Sequence, residues 1–181
     1  MVCRRCNKFM KCLTVETDGL YMTAYHECKE CGAKGGKVTY LGKVLALDPG
    51  ETTGWFYRDF ATKEMRGGTV PKDHQRVVDL IMDLKPDLII YETFHLYPGK
   101  AQSLAWNSFY PCEVIGVIKL IAAGLKCELV AQAPSVKKYA GGLQSDWVHF
   151  QHNDLKEKVT EHVKDAYLHL KYWERNALKI K

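Results

Sequence analysis

LALDPGETTGWF, residues 45–56, decides the fold. Its first residues form an unbroken apolar run, the signature of a strand buried on both faces. The run stops at Asp48-Pro49-Gly50, where the Pro ring removes a ladder donor and starts a turn. A hydrophobic strand has therefore delivered one carboxylate to its end, followed by a loop of Gly, Glu and two Thr. A strand-end acid of this kind holds a metal ion, and a Gly/Thr loop of this kind holds a phosphate. The two readings lead to different proteins.

Working outward, KVLALD and GWFYRDF read as strands and GGTV as a short third. DHQRVVDLIMDLK has helical periodicity, with Val77, Leu80, Ile81 and Leu84 on one stripe. KPDLIIYE is a second buried strand, and it too ends on an acid, Glu92. A polar segment, YPGKAQSLAWNSFYP, leads to the helix CEVIGVIKLIAAGL and then to the strand CELVAQAP. Pro134 opens a short helix, SVKKYA; GGLQSDWVHFQHND reads as mobile; a long helix runs from about Asp154 toward Leu178. Leu155, Val159, Val163, Ala166 and Leu170 make that helix's buried stripe. Strands alternating with helices predict an α/β fold whose sheet is covered on both faces.

Strand ends in such sheets gather functional groups, and two of them here carry Asp48 and Glu92. On the last helix Asp165 lies beside the buried stripe, with His162 three residues before it and Glu161 four. Two strand-end acids with a helix-borne acid and His form a cluster suited to two divalent cations. Carboxylate oxygens select hard ions such as Mg²⁺ or Mn²⁺.

DPG-x-T-x-G on the first strand, a strand ending in YE, and HxxDA on the last helix resemble, in this order, the RuvC-type Holliday junction resolvases of the RNase H-like fold. The resemblance spans about residues 43–173 and is greatest to the short phage-encoded members, through YETFHLYPGKAQSLAW, VIGVIK and HVKDAYLHLKYW. It implies a homodimer that cuts branched DNA with paired, metal-dependent nicks across a four-way junction, in the host cytoplasm if phage-encoded. Metal-ligand and catalytic roles pass by it to Asp48, Glu92, His162 and Asp165. The family's aromatic wedge, three residues after the strand-ending acid, is His95 here, so Phe94, Tyr97 and Trp106 are the stacking candidates. Lys100 and Trp106, in the loop after Glu92, are the candidate DNA contacts of this domain. The apolar helix at 112–124 is a candidate dimer element.

Two rivals stand beside this reading. D-x-G-x-T-x-G also resembles the first phosphate loop of the actin, Hsp70 and sugar-kinase superfamily, which needs a second such domain that this chain does not supply. A non-catalytic branched-DNA-binding protein of the same fold is the other, and it is expected to have lost an acid, whereas all four positions are filled.

The first 38 residues read as a separate module, with the nuclease domain at 39–181. Cys3-x-x-Cys6 and Cys28-x-x-Cys31 flank two strand-like runs joined by Asp18-Gly19, a strong hairpin turn. The hairpin returns one pair to the other, so four thiolates can surround one structural Zn²⁺; the module resembles a zinc ribbon. Cys12 and His26 read as strand residues. Residues 1–43 carry eight Lys/Arg against four acids, and the rest eighteen against seventeen, so the basic excess lies in front. That places Arg4, Arg5, Lys8, Lys11 and Lys29 toward phosphates, with Tyr21 and Tyr25 as stacking faces. Seven Cys with no apolar leader predict reduced thiols and the cytoplasm. No run is long enough to span a bilayer. No nucleotide cofactor and no membrane partner are expected.

Overall fold

A computed structural model describes residues 1–95, 109–141, 147 and 160–177. The front of the chain forms a three-stranded antiparallel sheet, β1 (Lys11–Asp18), β2 (Tyr21–Glu27) and β3 (Lys34–Tyr40), in that order. The expected hairpin is present, with Gly19 at φ 54 in its turn, where a Cβ would be strained. The third strand, KGGKVTY, is an addition to the expectation; two adjacent Gly give it little intrinsic β-propensity, and pairing with β2 along its whole length makes it a strand.

The main sheet has five strands in the order β6-β5-β4-β7-β8: β4 (Lys43–Asp48), β5 (Thr53–Asp59), β6 (Met65–Val70), β7 (Leu88–Glu92) and β8 (Glu128–Gln132). β4, β5 and β6 form an antiparallel meander; β4, β7 and β8 are parallel. The parallel connections run through α1 (His74–Leu84) and α2 (Tyr110–Leu125). Asp73 caps α1, its carboxylate accepting from the amides of Gln75 and Arg76 at 2.9 and 3.3 Å. Pro111 in the first turn of α2 and Lys126 in the left-handed conformation after its last turn fix its ends.

The two faces of the central strands bury two cores, as the continuous apolar runs predict. Val44 and Ala46 of β4, Leu88 and Ile90 of β7, and Phe56 of β5 face α3 (Glu161–Ala177), meeting Val163, Ala166, Tyr167 and Leu170. Leu45, Leu47, Ile89 and Tyr91 face the opposite way, against Val77 and Ile81 of α1 and Val114 and Ile118 of α2. Trp147, from the stretch read as mobile, is 1% exposed and packs on Tyr167 at 4.7 Å between ring centroids. Its neighbours in that stretch, and Leu155 and Val159 of the predicted helix stripe, lie outside the described residues. The ribbon is fastened to this core by Tyr40, which is 1% exposed and meets Trp173, Phe60 and Tyr21 edge-on at 5.1–5.6 Å. Tyr21 is thus a packing residue and not the free stacking face the sequence predicted. Among the described residues no helix is long and apolar enough to cross a membrane.

Candidate metal-dependent active site and zinc centre

Because β4, β7 and β8 are parallel, their carboxyl ends share one edge, and Asp48, Glu92 and Gln132 end there together. The start of α3 crosses this edge. Gly54, opposite Asp48 in the β4–β5 register, allows the crossing. A Cβ on Gly54 would lie 2.6 Å from the His162 Cβ and closer still to the His162 carbonyl. The Gly of the motif is therefore required by helix-on-strand packing. The loop before it closes on itself: the buried Thr53 hydroxyl donates to the Gly50 carbonyl at 3.1 Å.

All four predicted residues reach this edge, as two pairs. The His162 ring donates from Nδ1 to Asp48 Oδ2 at 2.9 Å. Glu92 and Asp165 are joined by a residue the sequence reading passed over: the Lys137 ammonium lies 2.8 Å from Glu92 Oε2 and 2.6 Å from Asp165 Oδ2. Glu161 turns away and pairs with Lys164 at 3.1 Å. A second unforeseen residue is His169, which is fully buried. Its Nε2 donates to Glu92 Oε2 at 2.7 Å, and its Nδ1 meets the Gln132 amide oxygen at 2.7 Å. His169 positions Glu92, and Gln132 positions His169. The helical spacing signalled it, since His162, Asp165 and His169 fall at i, i+3 and i+7 on one face. Lys137 carried no such signal, because it sits in a 3₁₀ turn at residues 134–139 brought here by the fold.

The electrostatics are those of crowded acids. Burial raises the Asp48 carboxyl above its ordinary value, His162 opposes the shift, and the charges of Glu92 and Asp165 add to it. Burial raises Glu92 as well, but the bonds from His169 and Lys137 outweigh it and its carboxyl falls below the usual range. Lys137 is held above its usual value: burial opposes its charge, and the two carboxylates more than compensate. An ammonium between two carboxylates marks a position where this site favours a cation. The Asp48–His162 spacing also matches neighbouring ligands of one six-coordinate ion, which lie about 3 Å apart when each is ~2.1 Å from the metal. The donor set, three carboxylates and an imidazole, has the chemistry of a divalent-metal centre, but no three of these residues bring ligating atoms within 4.8 Å of one another, so holding an ion would require the two pairs to draw together.

On the ribbon, Cys3, Cys6, Cys28 and Cys31 bring their Sγ atoms within 4.8 Å of one another, the one such group of ligating atoms among the described residues. Cys3 and Cys31 are 3.6 Å apart and Cys6 and Cys28 3.4 Å. Thiolates around a tetrahedral Zn²⁺ at ~2.3 Å lie about 3.8 Å apart, so a small outward relaxation suits the ion. The backbone amides of Arg5 and Cys6 point at the Cys3 sulfur and bring its thiol down to about 7, while the crowding of the sulfurs pushes Cys6 up to about 12 and raises Cys31, so the four do not all favour the thiolate without an ion. Cys12 and His26 are paired strand residues, as expected.

Phe94 packs on Phe109 at 5.5 Å, and His95 bonds the Thr93 hydroxyl at 2.9 Å. Tyr97, Lys100 and Trp106 lie outside the described residues. Arg4, Arg5 and Lys8 are exposed around the first knuckle.

No family model and no curated protein matches this chain by sequence. Solved structures do match. Thermus thermophilus RuvC in complex with a Holliday junction substrate is 18% identical, with a TM-score of 0.53 over 74% of this chain and 95% of that one. A second T. thermophilus RuvC structure is 18% identical, with a TM-score of 0.50 over 75% and 97%. The fowlpox virus resolvase with Holliday junction DNA is 14% identical at a TM-score of 0.49, over 76% and 99%. At such identities the likeness is one of architecture. The main sheet and its helices have the RNase H-like fold of the RuvC-type resolvases, and a four-cysteine cluster compatible with a zinc ribbon precedes it.

Proposed function

We propose that this protein is a divalent-metal-dependent endonuclease that cuts branched DNA, four-way junctions above all, with a structural zinc in its ribbon. The carrying observation is the meeting of Asp48, Glu92, His162 and Asp165 at one sheet edge, with a lysine ammonium already between two of the acids. Mg²⁺ or Mn²⁺ bound to these four residues would activate water and neutralise charge on the scissile phosphate. Asp48 pairs with His162 and lies near enough to Glu92 and Asp165 for their charges to act on its carboxyl. His169 holds one oxygen of Glu92, which fixes the plane of that carboxylate. Lys137, on a flexible stem, exchanges its carboxylates for a phosphate oxygen when the acids are otherwise neutralised. The 16-residue α2 (Tyr110–Leu125) leaves Leu120 73% exposed, which supports its use as a dimer element. Two active sites related by a twofold axis are what paired nicks require.

The test incubates the protein and Mg²⁺ with labelled junction, flap, splayed and linear DNAs of matched sequence. Symmetric paired nicks confined to the junction are expected. Equal cutting of all four reduces the activity to a general nuclease, and no cutting of any sinks the enzyme.

A further inference from the structure

A groove of about 940 Å³ lies on the ribbon, between the first cysteine knuckle and β3, and shares no lining residue with the acidic edge. Its wall carries Arg4 and Arg5 from the knuckle and Lys34 and Lys37 from β3. All four are exposed, none forms an ion pair among the described residues, and no Asp or Glu lines the groove. Two of these cations, Lys34 and Lys37, belong to the strand that the sequence did not announce. Lys8, Lys11 and Lys29, which the sequence grouped with the arginines, do not line it.

The floor has a different chemistry. Met10 and Val38 also line the groove, as do Met1 and Val2, which are 46% and 44% exposed. Gly35 leaves the backbone of β3 bare there: a Cβ on it would first meet the thioether ends of Met1 and Met10, at 3.8 and 3.9 Å. The φ of Gly35 is not positive, so conformation does not demand glycine at this point. What the missing side chain provides is room.

We propose that this groove binds an unpaired DNA strand, its phosphates on Arg4, Arg5, Lys34 and Lys37 and its base or sugar faces on the Met and Val floor. Two features select this occupant. Unopposed cations along an open trough complement a polyanion, whereas a compact ligand needs a few convergent polar groups in an enclosed site. An apolar floor complements bases turned out of a stack, which duplex DNA does not present. The groove wall includes Cys3, which is 2% exposed, so the groove's shape is tied to the cysteine cluster. The inference rests on the branched-DNA reading and deepens it: the ribbon would hold a single-stranded arm or an opened branch point while the acidic edge faces the duplex.

The test measures binding and cleavage separately on the full-length protein. Anisotropy of a fluorescein-labelled oligothymidylate, in Ca²⁺ so that nothing is cut, is read across a chloride series. Lys34→Gln/Lys37→Gln removes two phosphate contacts, which flattens the log K against log[salt] slope by about 1.4 and weakens binding roughly 25-fold at 0.1 M salt, from ~0.7 per single-strand contact. Gly35→Leu fills the groove and should weaken binding while leaving that slope nearly unchanged. Both variants should keep their zinc content; a chain that binds oligothymidylate through the groove and nicks nothing would refute the nuclease and leave this site standing. Wild-type binding in both variants overturns the proposal, as does failure of the wild-type protein to bind the oligonucleotide. Equal displacement of the oligonucleotide by poly-glutamate also overturns it, because the floor then contributes nothing to selection.

Discussion

Gly54→Ala tests how tightly the site depends on one close approach. The added Cβ lies 2.6 Å from the His162 Cβ, and its closest neighbours are backbone atoms that no rotamer change can move. Carbon atoms rest about 3.5 Å apart, so relieving the Cβ contact alone moves the start of α3 by about 0.9 Å, and the closer backbone carbonyl demands more. Added to the 2.9 Å His162–Asp48 bond, that takes the pair to at least about 3.8 Å, beyond hydrogen-bonding reach. Over-packing of this kind costs about 1–3 kcal/mol, roughly 2–12 °C in a chain of this size. A misplacement of order 1 Å at catalytic groups costs about 100-fold in rate. Calorimetry and single-turnover junction nicking measure the two effects on one preparation. A variant with wild-type melting temperature and wild-type rate refutes the claim that this glycine sets the helix against the strand. Lost stability with an unchanged rate refutes the link from packing to site geometry.

The two strand-end acids should respond oppositely to neutralisation. Asp48 has a folded-state pKa above its ordinary 3.8, so its contribution to stability is complete below that value and is lost as pH rises through the folded pKa. Asp48→Asn should therefore raise the metal-free melting temperature at neutral pH while abolishing nicking; a drop in melting temperature contradicts the sign. Glu92 lies below its ordinary 4.5, so it stabilises above that value and the effect is lost as pH falls through the folded pKa. Glu92→Gln should lower the neutral-pH melting temperature, with the difference from wild type vanishing in acid. His169→Leu removes the partner of the Gln132 amide and leaves Glu92 held by Lys137 alone, and should weaken Mn²⁺ binding by titration calorimetry roughly 10–100-fold, with partial rescue by His169→Gln. Unaltered Mn²⁺ affinity in the leucine variant would show that His169 only fills space. Cys28→Ser should abolish stoichiometric zinc and remove amide-exchange protection from β2 and β3 but not from β4 and β7; retained zinc by elemental analysis would disprove the four-thiolate site.

The sequence by itself determined what is local. KVLALD and DLIIYE are apolar on both faces, so they had to be central strands, and each ends on its acid because a charge cannot continue into a two-sided core. The CxxC pairs and Asp18-Gly19 likewise fix the ribbon's hairpin within a few residues of chain. His162 and Asp165 were legible from helical spacing, and His169 was legible by the same rule though not singled out. Tertiary structure decided the rest. Lys137 and Gln132 meet Glu92 from 45 and 40 residues downstream, because β8 lies parallel to β7 and the turn after it folds back over the sheet edge. β3 exists because β2 offers it a full ladder, which overrides two weak strand formers, and its pairing carries Lys34 and Lys37 to the knuckle that holds Arg4 and Arg5. No periodicity along the chain encodes such meetings, since the energy of a contact between distant residues depends on which surfaces the packed sheet and helices bring together.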